Sequence, residues 1–285
     1  MSDADDLEAA RRWFAEDVRE AAPVVNNEAI IDAFATVRRE DYLGPGPWLI
    51  HSRLSVGDVH RSRSDNARHL CHDVLVSLVE SAGINNGLPS LWARIFDNLN
   101  IRPGDSVFQI GTGVGYYTAI LAELVGPTGR VVTYEIEDNL AEMAARNLAH
   151  YENVRVVCGD ATEAGAVRSH SALVACAGVT HIPPRWLEQV GHGGQIVVPF
   201  TGTKNWGFLL HLTKEGDAFP VRSLGPCGFY PCAGARRQSE AEAISNALNA
   251  SPDAPSQIAT YHPKPRSRAP ERIWVEGEDY WIAQR

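Results

Sequence analysis

The spacing of hydrophobic positions changes along the chain, and the changes predict its elements. From about residue 5 to residue 42 apolar side chains recur at helical intervals. Leu7, Ala10, Phe14 and Val18 fall on one face and Ile30, Ile31, Phe34 and Val37 on another, which predicts two helices. The run Gly44-Pro45-Gly46-Pro47 closes that region. Residues 48–73 are polar and irregular, and the alternation of Val74, Val76 and Leu78 after them predicts a short strand. A loop from Gly83 leads to Pro89, which is placed to open a helix through Trp92, Ile95, Phe96 and Leu99. Past the turn at Arg102-Pro103-Gly104-Asp105, short apolar runs alternate with helical spacing. Strands are predicted at Val107–Ile110, Val131–Ile136, Val154–Val157, Ala172–Ala175 and Gln195–Pro199, and helices at Tyr116–Val125 and Asn139–Leu148, with Asp138 as N-cap of the second. Strands alternating with helices imply a parallel sheet with right-handed crossovers, hence an α/β fold. After residue 233 the rhythm weakens to a helix at Glu240–Leu248 and a proline-rich stretch. The triplets Ile273-Trp274-Val275 and Tyr280-Trp281-Ile282 then predict strands docked on the body, because a free tail gains little by exposing two tryptophans.

At 285 residues the chain can bury a substantial core, and 44% hydrophobic with 21% charged residues is an ordinary globular composition. The net charge of −9 disfavours the broad basic footprint that duplex nucleic acid or an anionic membrane requires, so neither is an expected partner. The acidic start, with Asp3, Asp5 and Asp6, lacks a leader pattern, and no apolar run approaches about 18 residues, which points to a cytoplasmic protein. Five scattered cysteines without a CxxC pair are expected to be reduced thiols. His69-Leu70-Cys71-His72-Asp73 offers donors of three kinds, but no second cluster lies at a suitable spacing, so no metal is expected and the segment reads as a polar loop.

The most informative chemistry is Val107-Phe108-Gln109-Ile110-Gly111-Thr112-Gly113-Val114-Gly115, three glycines between a predicted strand and a predicted helix. There the backbone must turn tightly and let a ligand come close. Glu135 ends the next strand, where a carboxylate can hold the two hydroxyls of a ribose, and Tyr116 stands where a dinucleotide fingerprint wants a small residue. Asp160, in Cys158-Gly159-Asp160-Ala161 after the following strand, can accept from an exocyclic amine such as that of adenine. Together these residues describe an adenosine-shaped pocket.

Residues 107–198 resemble the core of the protein-L-isoaspartate O-methyltransferase family. The resemblance rests on Gln109-Ile110-Gly111-Thr112-Gly113-Val114-Gly115-Tyr116, Thr133-Tyr134-Glu135-Ile136, Gly159-Asp160-Ala161, the Ile182-Pro183-Pro184 step and Gly193-Gly194-Gln195-Ile196-Val197-Val198-Pro199. It extends upstream through Ala33–Tyr42 and downstream to Phe229-Tyr230-Pro231-Cys232, so it covers about residues 28–233. It implies a Rossmann-like, doubly wound, mostly parallel sheet of the class I methyltransferase kind, with its last two strands exchanged relative to most such enzymes. S-adenosyl-L-methionine is the implied cofactor, bound by Gly111, Thr112, Gly113, Gly115, Glu135, Ile136, Asp160 and Ala161. The implied reaction is attack of an isoaspartyl carboxylate on the sulfonium methyl. The expected organisation is an N-terminal helical region with the acceptor loop at 1–88, the cofactor-binding core at 89–233 and a C-terminal extension at 234–285.

One departure bears on the acceptor. Counted back without a gap, the family's Thr-Ile-Ser-Gln-Pro loop falls on Asn85-Asn86-Gly87-Leu88-Pro89, so Gly87 stands where the family's active-site hydroxyl belongs. Asn85 and Asn86 can still donate to a carboxylate. On this reading a serine restored at position 87 raises isoaspartyl activity in a loop that tolerates it. His181 can reach the acceptor as a base, against a bland alternative of an exposed loop histidine, and Arg236-Arg237 can clamp an anion, against a solvated helix start. Three functions follow: a methyltransferase acting on a carboxylate of a peptide or protein, a tailoring methyltransferase for a peptide natural product or small molecule, and a protein that binds the cofactor without turnover.

Overall fold

A computed structural model describes residues 3–51, 58–165, 170–265 and 268–285. The start of the acidic terminus, residues 1–2, and part of the irregular stretch, 52–57, lie outside the described residues. In chain order the elements are helices α1 (Asp3–Ala21) and α2 (Glu28–Thr36), strands β1 (Leu49–His51), β2 (Val59–Arg61), β3 (Ser77–Val79) and β4 (Ile84–Asn85), and helix α3 (Pro89–Leu99). Then come β5 (Ser106–Ile110), α4 (Tyr116–Val125), β6 (Arg130–Glu135), α5 (Asp138–Asn147), β7 (Val154–Cys158), β8 (His170–Ala175) and α6 (Pro184–Gln189). The remainder is β9 (Val190–Thr201), β10 (Trp206–Thr213), β11 (Phe219–Gly228), α7 (Gln238–Ala250), β12 (Ile258–Pro263), β13 (Ile273–Glu276) and β14 (Tyr280–Gln284). The chain packs as two compact units, one of Met1–Gly104, Thr112–Val131 and Asn139–Val156, the other of Asp105–Gly111, Val132–Asp138 and Val157–Arg285.

In the first unit the predicted helical faces close on one another. Phe14 of α1 meets Phe34 of α2 edge-on at 6.1 Å, Phe34 meets Tyr116 and Tyr117 of α4, and Trp92 of α3 stacks on Tyr117 at 4.9 Å. Each such ring taken out of water contributes about 1.5–3 kcal/mol. Pro89 opens α3 as expected, and its first turn is held from a distance, since the Ser90 amide donates to Asp73 Oδ1 at 2.8 Å. Arg39 is buried here. Its guanidinium donates to the carbonyls of Leu70, His72 and Val74 at 3.3, 3.1 and 2.8 Å and lies 5.8 and 5.7 Å from the centres of the Phe14 and Tyr116 rings. Those bonds hold residues 70–74 outside any strand, so the predicted strand at Val74–Leu78 forms later, as β3, paired with β4. Asp138 is the first residue of α5 and not its cap.

The second unit holds most of a ten-stranded sheet of order β13-β14-β12-β11-β10-β9-β8-β5-β6-β7. β8 runs parallel to β5 and to β9, and from β9 outward the pairs β9–β10, β10–β11, β11–β12, β12–β14 and β14–β13 are antiparallel. Helices and parallel central strands make this the class I methyltransferase fold, and β9, β10 and β11 lie side by side in sequence order, the arrangement that the implied strand exchange calls for. The pattern did not predict β10, β11 or β12. Six consecutive residues of β10 are buried, so it lacks the alternation of a half-buried strand, and β11 and β12 carry Pro220, Pro226 and Pro263, which look like turn residues. The triplets at 273–275 and 280–282 dock as expected, in β13 and β14, where Val275, Tyr280 and Ile282 join a core with Phe200, Phe208 and Trp186.

Candidate active site

Three residues of the second unit follow the carboxyl ends of neighbouring strands. Gly111 leaves β5 with φ +84, its amide donating to the Tyr134 carbonyl at 2.8 Å. A Cβ there would lie 3.0 Å from Cys176 Cβ, so conformation and space both require glycine. Glu135 ends β6 only 6% exposed, and its Oε1 accepts from the amides of Ile136 and Glu137 at 3.0 and 3.1 Å, bonds that orient the group. Its carbonyl accepts from Gly159 at 2.8 Å, which leads into Asp160. Asp160 caps a short 3-10 turn at Ala161–Glu163, with Oδ1 accepting from the Thr162 amide at 2.8 Å, and the Trp186 indole donates to the Ala161 carbonyl at 3.1 Å. Ile136 is 47% exposed, an apolar side chain open to solvent beside Glu135. Gly234 is a residue the sequence did not flag. At φ +78, a Cβ on it would stand 2.7 Å from Asp160 Oδ2.

In the first unit the glycine loop continues. Gly113 and Gly115 hold φ +57 and +93, the Gly115 amide closes a turn on the Thr112 carbonyl at 3.0 Å, and a Cβ on Gly115 would fall 2.8 Å from Leu148 Cδ1. Thr112 is buried. The acceptor loop belongs to the same unit. Asn85 Oδ1 accepts from the Gly87 amide at 2.9 Å, the Asn86 amide donates to the Val76 carbonyl at 2.8 Å, and the Tyr117 hydroxyl donates to the Gly87 carbonyl at 3.0 Å. Gly87 has φ +73, and a Cβ there would collide with Trp92 Nε1. Asn85 is exposed, whereas Asn86 is buried and its Nδ2 has no hydrogen-bond partner among the described residues.

His181 is not the exposed loop histidine of the bland alternative. It is 4% exposed, with Nδ1 2.9 Å from Glu240 Oε2. Arg236 and Arg237 form neither a clamp nor a solvated helix start. Arg236 donates to Thr201 and Gly202, and Arg237 pairs with Glu240, Glu278 and Asp279. In the segment His69–Asp73, His69 Nε2 lies 3.2 Å from Ser64 Oγ, Cys71 Sγ lies 3.8 Å from the Ala67 carbonyl, and Asp73 Oδ1 accepts from the Ser90 amide at 2.8 Å. Burial pushes the thiols of Cys176, Cys227 and Cys232 up to about 12, so they stay neutral at physiological pH. Cys158 is exposed. Brief alkylation of the folded protein followed by peptide mapping is therefore expected to label Cys158 well ahead of those three, and early labelling of Cys227 or Cys232 would contradict their burial.

The family model for protein-L-isoaspartate(D-aspartate) O-methyltransferase matches residues 67–237. The chain belongs to that family. A protein-L-isoaspartate O-methyltransferase of Ignicoccus hospitalis is 31% identical over 170 residues, 59% of this chain and 80% of that one. A solved structure described as a protein-L-isoaspartate O-methyltransferase aligns over 96% of this chain and 88% of its own, with a TM-score of 0.66 at 18% identity, so the fold likeness reaches past residue 233 into the extension. A Plasmodium falciparum structure, described as a family member in complex with S-adenosyl-L-homocysteine, covers 78% of this chain and 97% of its own at 14% identity and a TM-score of 0.61. As a member of the family the chain is an S-adenosylmethionine-dependent methyltransferase. Among the described residues no helix is long and apolar enough to cross a membrane.

Proposed function

We propose that the chain methylates a carboxylate of a peptide or protein, and that Asn85 and Asn86 handle that carboxylate in place of the hydroxyl absent at position 87. The cofactor residues fit an adenosine. The glycine loop 111–115 turns at positive φ after β5, Glu135 accepts from ribose hydroxyls, Asp160 and Ala161 follow β7 where the exocyclic amine is met, and Ile136 presents an apolar face to the purine. When bound, S-adenosylmethionine supplies an electrophilic methyl group.

The carboxylate needs no deprotonation at neutral pH, so the chain's task is to position it and exclude water. The observation that carries this reading is the hydrogen bonding of the acceptor loop. Asn85 is exposed and its Oδ1 is engaged by the Gly87 amide, so its NH2 is the end of the side chain that can donate to an acceptor. Asn86 Nδ2 is buried without a partner among the described residues. Such a donor costs about 1–3 kcal/mol until something accepts from it, and a carboxylate oxygen does so when the side chain turns to meet it.

Methyl transfer from radiolabelled cofactor to an isoaspartyl peptide and to its aspartyl twin, read as base-labile label, tests the reading. Label on the isoaspartyl peptide means that repair proceeds without the hydroxyl. Label on the aspartyl peptide alone favours the tailoring function, for which the altered loop at 85–87 speaks, and cofactor binding with no label on any peptide pool favours the non-catalytic one. Glu135→Ala and Asp160→Ala are each expected to weaken cofactor binding by about 1–3 kcal/mol, read by calorimetric titration. Unchanged affinity in both variants would remove the adenosine from this position.

A further inference from the structure

Glu240 lies in α7, three residues past the end of the family match at 237, yet it is 3% exposed and its carboxylate is saturated. Oε2 takes the Thr180 hydroxyl at 2.8 Å and His181 Nδ1 at 2.9 Å, while Oε1 takes Arg237 NH1 and the Glu278 amide, both at 3.0 Å. The loop that receives these bonds leaves the carboxyl end of β8, the strand beside β5, and is tied to the extension elsewhere as well. The Tyr280 hydroxyl donates to the Thr180 carbonyl at 2.8 Å, and the Arg237 amide donates to Thr180 Oγ1 at 3.0 Å. Around the pair stand Arg237, Asp279, Glu278, Tyr261 and Tyr280.

We propose that Glu240 is a positioning residue, which fixes the His181 ring so that Nε2 is the atom offered to the methyl acceptor. Burial alone would raise the Glu240 carboxyl, but hydrogen bonds from His181, Thr180 and the Glu278 amide more than offset it and hold the group at about 2. An ionised carboxylate only accepts, so His181 Nδ1 is the ring nitrogen that carries the hydrogen towards Glu240. With Nδ1 held by Glu240, the proposed contact with the acceptor falls to Nε2. The extension thus sets a residue of the methyltransferase core through one carboxylate.

The inference rests on the proposed handling of the acceptor, and the two fail separately. In the full-length protein, Glu240→Gln is expected to raise the acceptor KM about tenfold with cofactor affinity unchanged, and His181→Gln to do the same. The double variant should be no worse than either alone, and Glu240→Asp should recover part of the loss. Nitrogen-15 histidine spectra read the tautomer without any turnover: Nδ1 of His181 is expected to be protonated in the unmodified protein, with a mixture of tautomers in Glu240→Gln. An Nε2–H tautomer in the unmodified protein, or an unchanged acceptor KM in well-folded Glu240→Gln and His181→Gln, overturns the positioning role while the methyltransferase assay still stands. If Glu240→Gln fails to fold, the spectrum of the unmodified protein and the His181→Gln kinetics decide.

Discussion

Gly87→Ser is expected to destabilise the first unit by about 2–5 kcal/mol and to lower methyl transfer. Two costs add. Position 87 holds φ +73, where a side chain loses about 1–2 kcal/mol relative to glycine, and the new Cβ would collide with the Trp92 indole, an overpacking worth about 1–3 kcal/mol. Trp92 cannot yield easily. It is 2% exposed, stacked on Tyr117 at 4.9 Å and tilted against Phe96 at 5.6 Å. The prediction reverses what the sequence suggested, that a serine here would bring back isoaspartyl activity, because the backbone and the indole already fill the place of the missing hydroxyl. Urea denaturation measures it, and a companion variant separates the two costs. Trp92→Leu withdraws the indole, so in the double variant Gly87→Ser should cost only the φ term. The coupling between the sites is then at least about 1 kcal/mol. Full additivity would place the whole penalty in the backbone, and a Gly87→Ser protein as stable as the original would mean that the loop re-forms around the serine.

Much of the second unit was legible because its chemistry is local. Gly111, Glu135 and Asp160 each follow a strand that can be recognised from four or five apolar residues, and the ends of neighbouring strands are neighbours by topology. What the sequence hid depends on partners distant along the chain. Nothing near His181 announces a carboxylate 59 residues on, and a glutamate in the first turn of a helix is ordinary enough to pass as a solvated end. Arg236 and Arg237 looked like surface charges for the same reason, since their acceptors at 201–202 and 278–279 come from other strands and turns. Gly234 shows its purpose only when the Asp160 carboxylate stands beside it. The antiparallel strands were missed on different grounds. A ladder buried on both faces has no polar beat, and proline, which removes a donor, is read as a break even where a strand accommodates it.

The second large effect belongs to Trp186, which is fully buried and joins the stability of the second unit to its cofactor residues. Its ring lies in the core with Ala161, Ala164, Ile182, Leu187 and Val190, and its indole N–H donates to the Ala161 carbonyl at 3.1 Å. Trp186→Ala is expected to cost about 3–5 kcal/mol, since the ring's contacts go and a cavity remains that α6 can only partly close. Trp186→Phe keeps a six-membered ring in the core and removes the donor, leaving the Ala161 carbonyl only the Ala164 amide at 3.3 Å and costing about 0.5–1.5 kcal/mol for the lost bond. The smaller change is the more telling one for function. Asp160 caps the turn that starts at Ala161, and its Oδ1 is fixed by the Thr162 amide at 2.8 Å, so a shift of this turn moves the carboxylate that is proposed to meet the adenine amine. Cofactor affinity should therefore fall several-fold in Trp186→Phe at temperatures where the variant is fully folded, whereas His181→Gln in the same unit leaves it unchanged. Calorimetric titration beside a denaturation curve separates the two quantities. A Trp186→Phe protein that loses stability but binds the cofactor as before would show that the 3.1 Å bond supports the core alone and that Asp160 keeps its place through its own cap.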